Sequence, residues 1–374
     1  MKSLIIKIHN QLNNVPCLEA SLKNEEITTY IFNYYTKCNK NLTELSKAFN
    51  TIFGNYSKHN KINAFILQDE ILFKTLDLYI NNEELFETYA IKSFNEATKT
   101  SSIAKCSKDQ NYYIMKCYDY FFYIFDKKNK ECIMVVNDNK KALTMINILL
   151  LTPYLMCGEL NAIHGGLVSK NNQNILINNS SLGGKTTFAI LFAQDDWDII
   201  TEENTYVSKN GEILPYNIRN YFNIRAGTYL AFEEYFCNKG IINQLFLSMK
   251  GKSHDELFDC GKDSQLSINF EEIGKNFKFN NQKITHSLKV SILKGTGVTI
   301  TRESNQDLVD SFINLSASPT VQLFEELLDN KSIDPIKRKN NLSLVFANVN
   351  SFTIKTGLDY KENFEHMKNY IGVK

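Results

Sequence analysis

The residues best suited to chemistry form the run Asn179–Thr186, whose sequence is N-S-S-L-G-G-K-T. This run fits the phosphate-binding pattern G-x-x-x-x-G-K-[ST], except that Asn179 takes the place of the first glycine. Asparagine adopts a positive φ more readily than most residues, so the exchange is compatible with a tight turn at this position. The run therefore predicts a loop that binds the phosphates of a nucleotide.

Each position of this loop has a chemical role. The backbone N–H groups of residues 181–186 would surround the phosphates at a helix N-terminus, and Gly183 and Gly184 would let the backbone approach them closely. The Lys185 ammonium would reach the β- and γ-phosphates, while the Thr186 hydroxyl would bind Mg²⁺. We therefore predict ATP and Mg²⁺ as cofactors. The predicted nucleotide-binding residues are Asn179, Ser180, Ser181, Leu182, Gly183, Gly184, Lys185, Thr186 and Thr187.

Two neighbouring carboxylates follow the loop in the sequence. Ile199–Ile200 predicts a short buried strand, and Glu202 and Glu203 come directly after its end. Carboxylates in this place suit Mg²⁺ binding or the removal of a proton from an acceptor hydroxyl. Taken alone, the pair is more typical of a solvated acidic turn, but its position after a phosphate loop favours the functional interpretation.

The elements around the loop agree with this interpretation. Ile175–Ile177 predicts the strand that enters the loop, and apolar residues after Lys185 predict the helix that leaves it. An earlier apolar stretch, Ala162–Val168, predicts one further strand and contains the sequence H-G-G-L-V. A single histidine such as His164 in an apolar strand is more often a core residue than a catalyst, so its interest depends on its neighbours.

The region before residue 105 has a different pattern. Apolar residues at helical spacing predict two helices within residues 20–57, and short apolar runs predict strands at Ala64–Leu67 and Ile71–Phe73. We therefore divide the chain into a smaller N-terminal α+β domain, residues 1–105, and a P-loop domain, residues 106–374. The first elements predicted after the boundary are strands at Tyr112–Cys117, Tyr120–Phe125 and Cys132–Val136 and a helix at Lys140–Cys157.

Composition excludes several classes of protein. With 43% hydrophobic and 22% charged residues, the chain of 374 residues has a globular and not a disordered composition. A formal charge of +1 gives no electrostatic reason for a nucleic-acid partner. The longest apolar run, Leu143–Cys157, is shorter than the about 20 residues that span a bilayer. Eight cysteines without a C-x-x-C pair indicate reduced thiols. We expect a cytoplasmic protein that binds neither nucleic acid nor membranes, and its oligomeric state stays open.

Together these segments resemble the catalytic domain of the HPr kinase/phosphorylase family and its relatives, which include kinases found with lasso peptides and other ribosomal peptides. That family has a His-Gly-x-Leu-Val strand, a second strand, a phosphate loop ending in G-K-S or G-K-T, a helix, and a strand ending in paired aspartates. The C-terminal Val349–Asp359, with a helix after it, is similar to the closing strand and helix of the peptide kinases. The corresponding segments here are His164–Val168, Ile175–Ile177, Asn179–Thr186 and Ile199–Glu203.

The resemblance implies an α/β fold with a mixed sheet, shared with phosphoenolpyruvate carboxykinase, and an ATP-dependent kinase of serine hydroxyls on peptides or proteins. It implies that His164 lies beside the phosphates, and that of the two glutamates one is the general base and the other, assigned as Glu203, lies near the metal. Arg225, in N-I-R-A-G, resembles a later family segment whose arginine would stabilise the transferred charge. The implied catalytic residues are His164, Lys185, Glu202, Glu203 and Arg225, and the implied metal ligands are Thr186 and Glu203.

Three functions stay open. The first is a Ser/Thr kinase of a peptide or protein, such as a ribosomal precursor peptide, and the second is a small-molecule kinase on the same fold. The third is a non-catalytic, nucleotide-gated module that presents a peptide to another enzyme. Glutamates in place of aspartates favour the third, whereas the complete lysine, threonine and carboxylate set favours the first two. For a peptide acceptor we expect residues 1–105, which are rich in aromatic side chains, to recognise the substrate and perform no chemistry. In a small-molecule kinase the same region would close a compact pocket.

Overall fold

The structure is a computed structural model with two compact units. Unit 1 comprises Met1–Cys157 and Ser316–Asp334, and unit 2 comprises Gly158–Leu315 and Pro335–Lys374. The described residues are 17–21, 31–35, 61–68, 70–80, 87–95, 100–108, 112–117, 121–126, 131–136, 160–179, 183–202, 204–208, 210–213, 221–253, 256–257, 265–273, 282–313 and 335–373.

Unit 1 contains an eight-stranded sheet in the order β1-β2-β3-β8-β7-β6-β5-β4. β2 and β8 run parallel to β3, and the remaining neighbours are antiparallel. One helix, α1, covers part of a sheet face, and its Phe73 ring meets the Phe122 ring edge-on at 4.8 Å between centroids. The elements are β1 Cys17–Ser21, β2 Ile31–Tyr35, β3 Lys61–Gln68, α1 Glu70–Ile80, β4 Glu87–Asn95, β5 Thr100–Lys108, β6 Tyr112–Cys117, β7 Phe121–Asp126 and β8 Glu131–Val136.

The sequence predicted this unit only in part. The strands expected at Ala64–Leu67, Tyr112–Cys117, Tyr120–Phe125 and Cys132–Val136 are confirmed, with small differences at their ends. The predicted helix is wrong at Ile31–Tyr35, because this β-branched and aromatic run pairs with β1 and β3 and sheet pairing overrides the helical spacing. Two predictions lie outside the described residues. They are the helix at Lys140–Cys157 and the rest of the helical region 20–57, apart from the end of β1.

The strand predicted at Ile71–Phe73 is also wrong, because these residues belong to α1. Leu72, Phe73 and Leu76 lie on one buried face at helical spacing, and Lys74 pairs with Glu70 one turn earlier at 2.8 Å. A run of three apolar residues was too short to distinguish the two periods. The domain boundary predicted at residue 105 falls inside β5, whereas the two compact units divide between Cys157 and Gly158.

Unit 2 is an α/β structure built on a mixed six-stranded sheet in the order β12-β10-β11-β16-β18-β17. Two further pairs, β9 with β13 and β14 with β15, are antiparallel. The strands are β9 Leu160–His164, β10 Gly166–Lys170, β11 Gln173–Asn178, β12 Asp198–Thr201, β13 Asn204–Ser208, β14 Tyr221–Arg225, β15 Gln265–Asn269, β16 His286–Ile292, β17 Val298–Arg302 and β18 Asn350–Thr356. The helices are α2 Lys185–Gln194, α3 Ala226–Ala231, α4 Glu233–Asn238, α5 Gln244–Leu247, α6 Phe270–Ile273, α7 Asn305–Ile313, α8 Pro335–Phe346 and α9 Phe364–Ile371.

Strand direction brings four strand ends to one edge of this sheet. β16 runs parallel to both β11 and β18, and β10 is antiparallel to both β11 and β12. β11, β12, β16 and β18 therefore share a direction, and their C-terminal ends lie at the same edge, which we call the carboxyl edge. The β10–β11 hairpin turns through Asn171 and Asn172, both at positive φ, as a two-residue turn of this kind requires.

Other elements pack against both faces of the sheet, and the side chains of each strand alternate between the two faces. Ile175 and Ile177 of β11 face α2, where they join a core that includes Phe192 and the single tryptophan, Trp197. Leu176 faces the opposite way and packs with Ile163 of β9 and residues of α7 and α8. We call these the α2 face and the β9–β13 face. The predicted C-terminal strand and helix correspond to β18 and α9.

The stretch Ala162–Val168 is not the single strand that the sequence predicted. It forms β9 and β10, which belong to different sheets and are separated at Gly165. A Cβ on Gly165 would lie 2.9 Å from the carbonyl oxygen of Ile177, and one on Gly166 would lie 3.0 Å from that of Glu202. Two consecutive glycines thus let the chain change sheets between close backbones, and they leave His164 at the end of β9.

Among the described residues, no helix combines the length and the apolar character needed to cross a membrane.

The buried histidine of β16 makes the stability of unit 2 depend on pH. Burial lowers the pKa of His286, against the opposing effect of a hydrogen bond to the backbone of Ile371. The unfolded chain therefore binds more protons near the ordinary histidine pKa of about 6.5, so the free energy of unfolding falls as the pH drops through this range. We therefore expect the midpoint of urea unfolding to be lower at about pH 5.5 than at about pH 7.5. Trp197 fluorescence monitors the unfolding.

The matched variant His286→Asn separates this effect from general destabilisation. Its midpoint is expected to be lower at both pH values, but the difference between the two should shrink because the titrating group is gone. A difference as large as that of the wild type would contradict the assignment to His286.

Candidate functional site

The site is built at the carboxyl edge, where β11 ends and α2 begins. Gly184 precedes α2 with φ 102°, in the left-handed region. A Cβ on Gly184 would lie 2.8 Å from Cδ1 of Ile292, and one on Gly183 would overlap the Asn179 side chain. Position 184 therefore requires glycine, and a Cβ on Gly183 would displace the Asn179 side chain. Gly184 also supplies no side chain to cap the first-turn N–H groups of α2. Residues 180–182 of the predicted loop lie outside the described residues.

The first residue of α2 brings the predicted lysine and histidine together. Lys185 Nζ lies 3.2 Å from Nε2 of His164 and donates to the carbonyl oxygen of Asn179 at 2.8 Å. A lysine ammonium can only donate, so the His164 ring accepts through Nε2. Gly165 and Gly166 follow directly after β9, so His164 is the last residue of this strand. It therefore lies at the candidate site and not in the centre of a strand.

The second residue of α2 contacts the first of the two predicted carboxylates. The Thr186 hydroxyl donates to Oε1 of Glu202 at 3.0 Å. Glu202 follows β12, whose end lies two strands away from the end of β11, so the sheet order places the carboxylate beside the helix N-terminus. Glu203, the other predicted carboxylate, lies outside the described residues.

Asn179 has a role that differs from the one its position suggested. It does not adopt a positive φ; the non-glycine residues that do so in the described part of the chain are Asn171, Asn172 and Asp196. Instead its side-chain Nδ2 donates to the carbonyl oxygen of Val290 and to the Ser291 hydroxyl, the latter at 3.0 Å. The asparagine therefore ties the start of the loop to the end of β16, while the positive φ is at Gly184.

Thr187 and Arg225 are the remaining residues of the predicted site. Thr187 is buried, and its hydroxyl lies 3.2 Å from that of Thr228, so its side chain contacts α3. Arg225 is the last residue of β14 and immediately precedes α3. The structure thus connects the Arg225 segment to α2 through the two threonines, and it brings His164, Asn179, Lys185, Thr186 and Glu202 into direct contacts.

Sequence reasoning missed the contribution of β16. Val290, Ser291 and Ile292 form one side of the turn, but they lie about a hundred residues from Asn179 in the chain and carry no recognisable motif. It also missed the buried hydroxyls of Thr201 and Thr205, which lie 3.0 Å apart. Thr205 donates to the carbonyl oxygen of Gly165 and so fixes the crossing between β9 and β10.

Comparison with known proteins gives no independent assignment. Searches against models of protein families and against curated proteins find no match to this chain. The interpretation of the site consequently depends on its own residues.

The donor atoms at the site suit a hard divalent cation. Within the described residues, no group of three or more His, Cys, Asp or Glu side chains is arranged to hold a metal ion. Thr186 and Glu202 instead offer a hydroxyl and a carboxylate oxygen side by side. Mg²⁺ is commonly bound by one or two protein oxygens together with phosphate oxygens and water, so this pair fits Mg²⁺ bound with a nucleotide.

Substitution of Gly184 tests the strained turn. In Gly184→Ala the new Cβ meets Ile292 and the residue must hold a left-handed conformation, so we expect a loss of about 1–3 kcal/mol in the free energy of unfolding. Gly227→Ala is the matched control, because Gly227 lies in α3 and a Cβ there has nothing within 4 Å. Urea unfolding followed by Trp197 fluorescence measures both variants. Equal stability of the two would contradict the proposed role of Gly184.

Proposed function

We propose that unit 2 binds a nucleoside triphosphate with Mg²⁺ and transfers its γ-phosphoryl group to a Ser or Thr hydroxyl of a peptide or protein. The observation that carries this proposal is the hydrogen bond between Thr186, in the first turn of α2, and Glu202, at the end of β12. This contact brings a hydroxyl and a carboxylate together next to Lys185. It supports the proposal because phosphoryl transfer uses a metal-binding hydroxyl, a carboxylate and a lysine.

The phosphates would bind at the N-terminus of α2. Its first-turn N–H groups point out of the helix, and the positive end of the helix dipole favours an anion there. Lys185 starts α2, and its contacts with Asn179 and His164 hold the ammonium beside the turn at Gly184. In the nucleotide complex we expect Lys185 to exchange at least one of these contacts for phosphate oxygens, with His164 keeping the ammonium in place.

Thr186 and Glu202 would hold the metal ion. Bound there, Mg²⁺ would neutralise charge on the phosphate oxygens as the γ-phosphoryl group leaves. The hydroxyl of Thr186 donates a hydrogen bond to Glu202. Because its hydrogen is directed at the carboxylate, a lone pair of the hydroxyl oxygen is left to bind a cation. This assigns Glu202 to the metal side, whereas the sequence interpretation had given that place to Glu203.

Glu203 is then proposed as the base that takes the proton of the acceptor hydroxyl. It directly follows Glu202 in the sequence, so it is the second carboxylate of the acidic pair. The two carboxylates would therefore serve the metal and the acceptor separately, as paired acidic residues do in the kinase family that this sequence resembles. The same proposal includes the family's P-loop kinase fold for unit 2, with Arg225 near the transferred charge.

Lys185→Met tests whether the loop catalyses transfer. Methionine keeps the length and apolar stem of the side chain but removes the charge, so we expect transfer to fall by a factor of about 100 or more. The measurement is label transfer from γ-labelled ATP to an array of Ser- and Thr-containing peptides, read by mass spectrometry. Lys283→Met is the matched control, since Lys283 is exposed and precedes the opposite end of β16.

Transfer by Lys185→Met at the wild-type rate would contradict the proposal. Wild-type protein that binds ATP with Mg²⁺ but labels no acceptor, peptide or small molecule, would instead identify a nucleotide-gated binding module.

A further inference from the structure

Part of the β9–β13 face of the sheet is polar and open. The β9–β13 layer, α7 and α8 pack on β10, β11 and β12, but the same face of β16, β18 and β17 carries hydroxyls and lysines beyond them. Lys289 lies opposite Thr353, and Lys355 lies opposite both Ser291 and Thr299. We call this the lysine face; it consists of Lys289, Ser291, Thr299, Thr301, Thr353 and Lys355, which are exposed or half-buried.

The lysine face lies on the same side of the sheet as His164 of the candidate site. Strand alternation turns Val290 towards α2 and leaves Ser291 on the β9–β13 side, where it accepts from Asn179. His164 belongs to β9, which covers this same side, and it contacts Lys185. A molecule lying on the lysine face would therefore reach the candidate site without crossing the sheet.

The face also continues directly from the phosphate loop. Lys289 is paired in register with Asn178, the residue before Asn179. Adjacent strands are about 4.8 Å apart, so Lys289 stands about 5 Å and Lys355 about 10 Å from the line of β11. An extended peptide covers about 3.3 Å per residue, so side chains within about three residues of an acceptor hydroxyl would reach these lysines.

The charge of this face is predominantly positive. Lys289 and Lys355 are both exposed, and neither forms an ion pair with another residue in the described part of the chain. A carboxylate also lies at this face: Glu303, just past β17, accepts a hydrogen bond from the Thr353 hydroxyl. The two lysines thus present positive charge on the strands next to β11, and an acidic peptide segment would complement this charge.

We propose that the lysine face binds acidic side chains that lie within about three residues of the phosphorylated Ser or Thr in the acceptor peptide. This inference rests on the proposed kinase function and adds the class of acceptor. Exposed hydroxyls of Thr299 and Thr301 supply further hydrogen bonds to the peptide. The face distinguishes acceptors by their charge, while the loop and carboxylates act on the hydroxyl itself.

Binding of a defined probe peptide tests this inference. The probe is a fluorescein-labelled peptide with one serine between glutamates, compared with the same peptide carrying glutamines, in the presence of Mg²⁺ and a non-hydrolysable ATP analogue. In Lys289→Gln/Lys355→Gln we expect the affinity for the glutamate probe, measured by anisotropy, to fall about fivefold to tenfold. The difference in affinity between the wild type and this variant should shrink at high salt, because exposed charges are screened.

The control is Lys239→Gln/Lys283→Gln, which removes two exposed lysines elsewhere in unit 2. Equal loss of affinity in this control, or equal binding of the glutamate and glutamine probes by the wild type, would overturn the inference. Binding of a fluorescent ATP analogue is measured in the same samples. If Lys289→Gln/Lys355→Gln binds both the nucleotide and the glutamate probe as the wild type does, the role of the lysine face is rejected and the kinase function is not. If the wild type binds no nucleotide, the kinase function on which this inference rests is rejected.

Discussion

The arrangement of the site depends on one close approach at the carboxyl edge, between the backbone of the turn into α2 and the side chains of Asn179 and Ile292. The turn into α2 runs so near to Asn179 and Ile292 that Gly183 and Gly184 have no room for a Cβ, and Gly184 adopts the left-handed conformation that glycine allows. This turn aims the N-terminus of α2 at the edge where β11 and β12 also end. The positions of Lys185 and Thr186, the first two residues of the helix, follow from it.

A second pair of glycines has the same physical function on the other side of the site. Gly165 and Gly166 pass between the carbonyl oxygens of Ile177 and Glu202, and the chain changes sheets at that point. The crossing places His164 within reach of Lys185, and the backbone of Glu202 is held beside Gly166. The lysine, histidine and carboxylate of the site are thus positioned by close packing around four glycines.

The sequence predicted what is local and missed what is distant. The strand before the turn and the helix that begins at Lys185 were predicted from short spacing along the chain, and Thr186 contacts Glu202, one of the two carboxylates that the sequence singled out. The hydrogen bonds of Asn179 to β16 could not be predicted, because their partners lie about a hundred residues away without a motif. In unit 1, Ile31–Tyr35 has helical spacing, but pairing with two neighbouring strands decides its conformation.

The central claim is that Thr186 and Glu202 hold the metal ion of a bound nucleotide, and calorimetric titration of ATP with and without Mg²⁺ tests it most directly. For the wild type the account predicts much tighter binding with Mg²⁺ than in its absence. For Glu202→Gln, which keeps the size of the side chain but removes its charge, it predicts that the benefit of Mg²⁺ falls by a factor of about 10 or more. Affinity without the metal should change little. An unchanged benefit of Mg²⁺ in Glu202→Gln would contradict the account.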